Sequence, residues 1–186
     1  MKKDIICKSF FIHFCTTFNL PLKVKSASIQ LYDKIKNKTT LDIHNLIYMC
    51  IFIAAKAEDI QERMLDKFSS FYGKNLNKQK IIEEEVQIME IIDFDFVFPN
   101  VYSALLGVLM DLIYNDNNKA DLLNEYDKYC YDLDKVMLLE NTNLIETIST
   151  VLHMNNIEIK NKNIIKNIEE LKVMSKKELF EELNKM

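Results

Sequence analysis

Two charged residues stand at positions where an ammonium or a carboxylate group could serve a binding site. Lys56 closes a long apolar run, so its ammonium group emerges where a buried helix would reach the surface. Glu85 interrupts a helical face that otherwise carries Ile81, Ile88 and Ile92. Each position also has an ordinary structural interpretation. Lys56 could complement a helix C-terminus while its stem covers the core, and Glu85 could lie at the exposed flank of its face.

Catalytic motifs are absent from the sequence. It contains no Gly-rich phosphate loop and no GxSxG, HExxH or EF-hand pattern. The run of carboxylates from Glu83 to Glu85 gives no catalytic pair, because adjacent positions of a helix point in different directions. Three histidines and four widely spaced cysteines form no metal-ligand cluster. We therefore expect a protein that is not an enzyme, uses no metal or cofactor, and keeps its cysteines as free thiols in a reducing compartment.

The composition favours a helical protein that binds neither nucleic acid nor membrane. Two glycines and two prolines in 186 residues leave few places for the tight turns that a sheet needs. The net charge is −4, and the basic and acidic residues are mixed along the chain, which is unfavourable for contacting a phosphate backbone. The longest apolar run, 46–55, is about half the length of roughly twenty residues that a membrane span needs. We expect a soluble intracellular protein, located in the nucleus, the cytoplasm or both.

Apolar periodicity predicts five helices in the first half of the chain. The first covers about 4–18, the second is marked by Val24 to Ile35, and the third follows Asp42 as an N-cap. The third helix is apolar on every side, so we expect it at the centre of a bundle. A fourth helix ends at Gly73, and a fifth begins near Asn77.

The second half repeats the helical pattern less clearly. Residues 93–100 carry an aromatic side chain at every second position from Phe94 to Phe98, but a single strand would have no partner, so we predict an ordered linker there. A last short helix opens with a capping box at Ser175. The remaining helices are predicted at about 101–114, 119–139, 143–153 and 157–170.

The segments around Lys56 and Glu85 together resemble the cyclin box. In that family a central apolar helix ends in an Ala-x-Lys-x-Glu-Glu-like segment, which is Ala54–Asp59 here. The family then places a Glu on its fifth helix, ahead of a Phe-Asp-hydrophobic-x-x-Pro close. Here Glu85 precedes the matching segment Phe94–Pro99. The interval between the Lys and the Glu also fits the family, and the resemblance covers roughly residues 4–99.

This resemblance implies an all-α protein with a first cyclin box at 1–96 and a divergent second cyclin-like helical domain at 97–186. It implies a regulatory subunit whose first box binds and activates a cyclin-dependent protein kinase by contacting the kinase C helix. Lys56 and Glu85 would hydrogen-bond backbone groups of that kinase segment and could also bond to each other. Phe94, which matches the family residue, would supply apolar contact around the pair. Ile53 and Met89 would add to this contact, and they match the family only in being apolar.

The stretch after the first box, Asn100–Leu112, is most similar to cyclin H. That similarity implies a kinase of the CDK-activating or transcriptional type, and it allows for a third assembly subunit. Two other functions stay open. The chain could be a degenerate cyclin-fold scaffold that activates no kinase. It could also be a transcription factor of the TFIIB type, although the acidic balance and the Lys–Glu pair argue against direct binding of nucleic acid.

The sequence departs from the family pattern at two places. The substrate-docking patch of the cell-cycle cyclins would fall at Lys3–Phe10, where the Arg and the Trp of the family pattern are missing. Lys34 stands where many cyclins have an Arg, which weakens any buried bidentate pair expected there. We therefore expect no recruitment of substrates through a short basic-hydrophobic motif.

Overall fold

The helices lie largely where the apolar periodicity places them. A computed structural model describes residues 2–60, 66–67, 78–115, 121–138 and 144–157. In this described part the fold is all-α and has no β-strand, which confirms the predicted fold class. Its helices are α1 (Lys2–Thr17), α2 (Leu22–Ile35), α3 (Ile43–Ala57), α4 (Lys78–Ile91), α5 (Val101–Asn115), α6 (Tyr126–Met137) and α7 (Leu144–Met154).

Most of the predicted helices that fall in the described residues are confirmed, and one is too long. The helix predicted at 119–139 is replaced, over its first part, by a turn at 121–125, and α6 begins only at Tyr126. The cause is local, since the side chain and backbone of Asn124 both bond to Asp121. The fourth predicted helix up to Gly73 lies almost wholly outside the described residues, as do the two predicted after residue 157.

The third helix lies at the centre of its unit, as its apolar sequence predicts. The carboxylate of Asp42 caps α3 by accepting hydrogen bonds from the backbone N–H groups of His44 and Asn45, each at 3.1 Å. Nearly every residue from Leu46 to Ala55 is buried. Helix α2 packs along α3 more extensively than any other described pair of helices does, and α4 packs on α3 as well. This arrangement fixes the two helices that carry Lys56 and Glu85.

Within the described ranges, four helices end on an Asn or Asp with a left-handed backbone, where other proteins commonly use glycine. In each case the next residue donates its N–H to a carbonyl five positions back, at 2.8–2.9 Å, which is the Schellman motif. Asn and Asp tolerate positive φ better than other residues with a Cβ. A chain with two glycines can therefore still end its helices sharply. The four residues are Asn19, Asp59, Asp93 and Asn156.

We expect Asn19→Ala to lower the free energy of unfolding by about 1 kcal/mol, because alanine has the same Cβ as asparagine but lacks the short polar side chain whose local hydrogen bonds favour the left-handed region. Asn19→Gly should leave that free energy unchanged or raise it slightly. Urea denaturation followed by circular dichroism measures both. If the alanine variant is at least as stable as the glycine variant, the left-handed assignment at this position is wrong.

The chain divides into two compact units. The first is Phe10–Phe98, and the second combines the residues before Phe10 with those from Pro99 onward. In the second unit α6 packs on α7, and the buried Tyr102 hydroxyl donates to the buried carboxylate of Asp134. The two predicted domains, 1–96 and 97–186, stay a prediction, as does the cyclin-like character of the second.

Candidate functional site

Lys56 and Glu85 meet on the surface of the first unit. Lys56 lies in the last turn of α3 and Glu85 in the middle of α4, and Lys56 Nζ is 2.7 Å from Glu85 Oε1. The Lys56 side chain is 46% exposed and the Glu85 side chain is 19% exposed. A pair this accessible to water contributes only about 0.2–1 kcal/mol to the stability of the isolated chain. The pair is thus a surface feature with little structural purpose of its own.

A neighbouring contact joins α4 to α3. Glu84 is buried, and its carboxylate accepts a hydrogen bond from Asn45 Nδ2 on α3 at 3.0 Å. Glu83 instead faces solvent and accepts from Gln79. The three consecutive glutamates therefore point in three directions, as helix geometry predicts. With Glu84 held against α3, Glu85 is presented towards Lys56 at the edge of the helix pair.

An apolar, uncharged layer lies below the pair on α3. Tyr48, Phe52 and Lys56 are spaced four residues apart and so share one face of that helix. The rings of Tyr48 and Phe52 stack with 5.7 Å between their centroids. Burial raises the pKa of the Tyr48 hydroxyl, and the negative charge of Glu85 raises it further. Tyr48 therefore stays a neutral phenol, and the Lys–Glu pair carries the charge at this surface.

The apolar residues predicted around the pair differ in how much surface they offer. Phe94 is 67% exposed just beyond the end of α4, and Met89 is partly buried on α4. Ile53 is only 4% exposed, because α3 is the central helix of the unit. Ile53 therefore belongs to the core and offers very little surface for direct contact.

Two apolar residues at this surface were not predicted from the sequence as site residues. Ile82 is 55% exposed and Val86 is 49% exposed, and both flank Glu85 on α4. The sequence contained a signal, since α4 carries two apolar stripes where a surface helix needs only one. One stripe is buried in the core, and the other is not. We name the surface formed by Lys56, Ile82, Glu85, Val86 and Met89 the Glu85 face.

The first half of the chain matches a known protein family. Residues 3–97 match the family model described as "Cyclin, N-terminal domain", which is just over half of the chain. The chain belongs to the cyclin family. The matched part of this cyclin contains the whole Glu85 face and Phe94. A comparison with curated proteins found no match.

Family membership sets the general role. Cyclins are regulators and not catalysts, and the family implies a protein kinase as partner. This chain is therefore a cyclin-type regulator. Within the part of the chain that the structure describes, no three His, Cys, Asp or Glu side chains are grouped so that they could hold a metal ion.

The segment that corresponds to the docking patch of cell-cycle cyclins offers little surface in this cyclin. Residues Ile6–Phe10 of α1 are all buried, including the side chain of Lys8. A docking groove needs accessible side chains, and this part of α1 has few. None of the helices described for this cyclin combines the length and the apolar character that crossing a bilayer demands.

Proposed function

We propose that this cyclin binds the C helix of a cyclin-dependent protein kinase through the Glu85 face and thereby activates the kinase. The observation that carries the proposal is the Lys56–Glu85 bond, with half-exposed Ile82 and Val86 beside it on α4. Apolar side chains grouped at a surface around a charged pair are typical of an interaction site. Phe94, exposed at the end of α4, extends the apolar area.

The pair keeps most of its hydrogen-bonding capacity for a partner. An ammonium group has three N–H donors, and a carboxylate has about four acceptor sites. The bond between Lys56 and Glu85 uses one of each. The remaining donors suit backbone carbonyls, and the remaining acceptors suit backbone N–H groups, both of which are unpaired at the ends of a helix. Because both groups are ionised, the bonds that they form with a kinase helix belong to the stronger class.

Activation then follows from differential binding. Phosphoryl transfer by a protein kinase requires a Glu on its C helix to pair with the Lys that positions ATP. A cyclin that binds the inward position of the C helix more tightly than the outward position shifts the population towards the active kinase. Ile82 and Val86 would bury apolar area on the kinase helix, which supplies free energy for that shift.

We also propose that the kinase is of the CDK-activating or transcriptional type, acting in the nucleus, with a third assembly subunit allowed. This finer proposal rests on the similarity of Asn100–Leu112 to cyclin H. It is tested by reconstituting the chain with a panel of purified kinases and assaying a polymerase C-terminal repeat peptide. Phosphorylation of that peptide by a CDK-activating kinase supports the subtype. Activation of a cell-cycle kinase alone contradicts the subtype and leaves the general proposal intact.

The same reconstitution separates activation from a scaffold role. If a kinase binds the chain with measurable affinity but its rate of phosphate transfer does not rise, the chain is a scaffold, and the activating part of the proposal fails. If double-stranded DNA binds the chain at physiological salt while no kinase does, the kinase-binding proposal fails, and a role like that of TFIIB-type factors replaces it.

Adding a short basic-hydrophobic docking motif to a model substrate should leave the KM of the reconstituted kinase unchanged. The physical reason is that the corresponding part of α1, Ile6–Phe10, is buried and has no Arg or Trp to form a groove. Steady-state kinetics with two peptides that differ only in the motif measures the effect. A clear fall in KM for the peptide with the motif would show that a docking groove exists elsewhere on this chain.

A further inference from the structure

The segment that follows α4 holds Phe94 in an unfavourable backbone conformation. Asp93 and Phe94 are consecutive residues with left-handed backbones, at φ values of 54° and 55°. Asp93 is the usual left-handed residue of a Schellman motif, but an aromatic residue has no such tolerance. Strain of this kind persists where the surrounding structure holds it in place, and it is found at functional sites. Phe94 is also 67% exposed.

Lys34 holds the residue next to Phe94. It lies in the last turn of α2, and its Nζ is 3.3 Å from the carboxylate of Asp95 and 3.4 Å from the Asp95 carbonyl oxygen. The same ammonium lies 5.6 Å from the centroid of the Phe98 ring. The other carboxylate oxygen of Asp95 accepts from the backbone N–H of Val97 at 3.4 Å. One lysine thus connects α2 to the side chain and the backbone of the linker.

We propose that Lys34 is a positioning residue for Phe94. By bonding both the carboxylate and the carbonyl of Asp95, it restricts the residue that follows Phe94 and keeps the exposed ring beside the end of α4. Lys34 acts through Phe94 and need not contact the partner. This inference rests on the proposed kinase-binding function, since it assigns a residue that prepares the same surface.

The chemistry of Lys34 explains why a lysine suffices at a position where many cyclins have an Arg. The pair with Asp95 is not buried, because the side chain of Asp95 is 61% exposed. A compact ammonium with three donors can bond a carboxylate and a carbonyl at the same time. Arginine presents a planar fork of donors to the same two oxygens, so Lys34→Arg should preserve the positioning.

Lys34→Ala is expected to raise the Kd for the kinase about 3- to 10-fold, the size of effect that follows from losing charge-assisted hydrogen bonds at a partly exposed position. Lys34→Arg should bind like the wild type. In a Phe94→Ala background the Lys34→Ala change should have almost no further effect, because its influence passes through Phe94. Isothermal titration calorimetry with the purified kinase measures the affinities of the wild type, the three single variants and the double variant.

Lys36 provides a matched control. It lies just after α2, pairs with Asp33 at 3.1 Å and lies 5.6 Å from the ring centroid of Tyr32. Lys36→Ala therefore removes the same kinds of contact at the same helix end, and it should leave the kinase Kd unchanged. An equal loss of affinity in Lys34→Ala and Lys36→Ala would mean that the general positive charge of this helix end matters, which would overturn the proposal.

Hydrogen exchange separates this proposal from the kinase-binding proposal. In the isolated chain, Lys34→Ala should speed exchange of the Phe94, Asp95 and Val97 amides, while the amides inside α2 exchange as in the wild type. If Lys34→Ala leaves these rates unchanged, or if its effect on Kd adds fully to that of Phe94→Ala, Lys34 does not position Phe94. If the wild-type chain binds no kinase, the proposed function fails. The exchange rates of the isolated chain then still test whether Lys34 positions Phe94.

Discussion

Replacing Lys56 or Glu85 by alanine is expected to abolish stable kinase binding while leaving the isolated chain folded. Neither side chain fills core volume, and the exposed bond between them contributes at most about 1 kcal/mol to stability. At an interface the same pair is desolvated. Removing one member then leaves the other charge buried and unpaired, which costs about 2–5 kcal/mol. That free energy corresponds to a Kd about 30- to 4,000-fold higher.

Two measurements on each variant check this prediction. Thermal unfolding by circular dichroism should stay near wild type, and calorimetric titration with the kinase should show the large loss of affinity. Lys128→Ala is the matched control, because Lys128 in the first turn of α6 also forms an exposed pair, at 3.0 Å, with Glu125 just before that helix. The control should bind normally. Variants that unfold, or that bind like the control, would show that Lys56 and Glu85 have only structural purposes.

A comparison of two isoleucines should separate the core of the first unit from its binding surface. Ile51 on α3 is completely buried, and Ile82 on α4 is 55% exposed. Ile51→Ala should lower the free energy of unfolding by about 2–5 kcal/mol, because it leaves a cavity in the central helix. Ile82→Ala should change that free energy by less than about 0.5 kcal/mol.

The effects on kinase binding should be reversed. Ile82→Ala should raise the kinase Kd about 5- to 30-fold, since it removes apolar area that the kinase helix would cover. Ile51→Ala should bind nearly as the wild type at temperatures where it is folded. Chemical denaturation and titration calorimetry on the same two preparations give all four values. If Ile82→Ala destabilises the chain as much as Ile51→Ala does, the exposed stripe of α4 belongs to a core and not to an interface.

The centre of the fold could be predicted from the sequence because its signal is local. A helix without a polar face must be surrounded, so the position of α3 follows from its own residues. The charged pair could also be found, since Lys56 ends that helix and Glu85 interrupts an apolar face. The bond between them joins residues on different helices, and it required the packing of α4 on α3 to be known.

Other features depend on tertiary contacts that the sequence does not display. The sequence does not distinguish the two apolar stripes of α4. In the structure α4 packs on α3, with Glu84 bonded to Asn45, and Ile82 and Val86 remain exposed. The link from Lys34 to Asp95 spans 61 positions of the sequence. Apolar periodicity also could not predict the late start of α6. Asp121 and Asn124 form a hydrogen-bonded turn, which replaces the first part of the predicted helix.

Titrating a cyclin-dependent kinase with the wild-type chain and with Glu85→Ala, while measuring the rate of phosphate transfer, tests the kinase-activating role most directly. For at least one kinase, the wild-type chain should give a saturable rise in rate. For the same kinase, Glu85→Ala should shift the midpoint of that rise to a concentration at least about 30-fold higher. A rise with the same midpoint for both chains, or no rise with any kinase of the panel, would contradict the proposal that the Glu85 face activates a kinase.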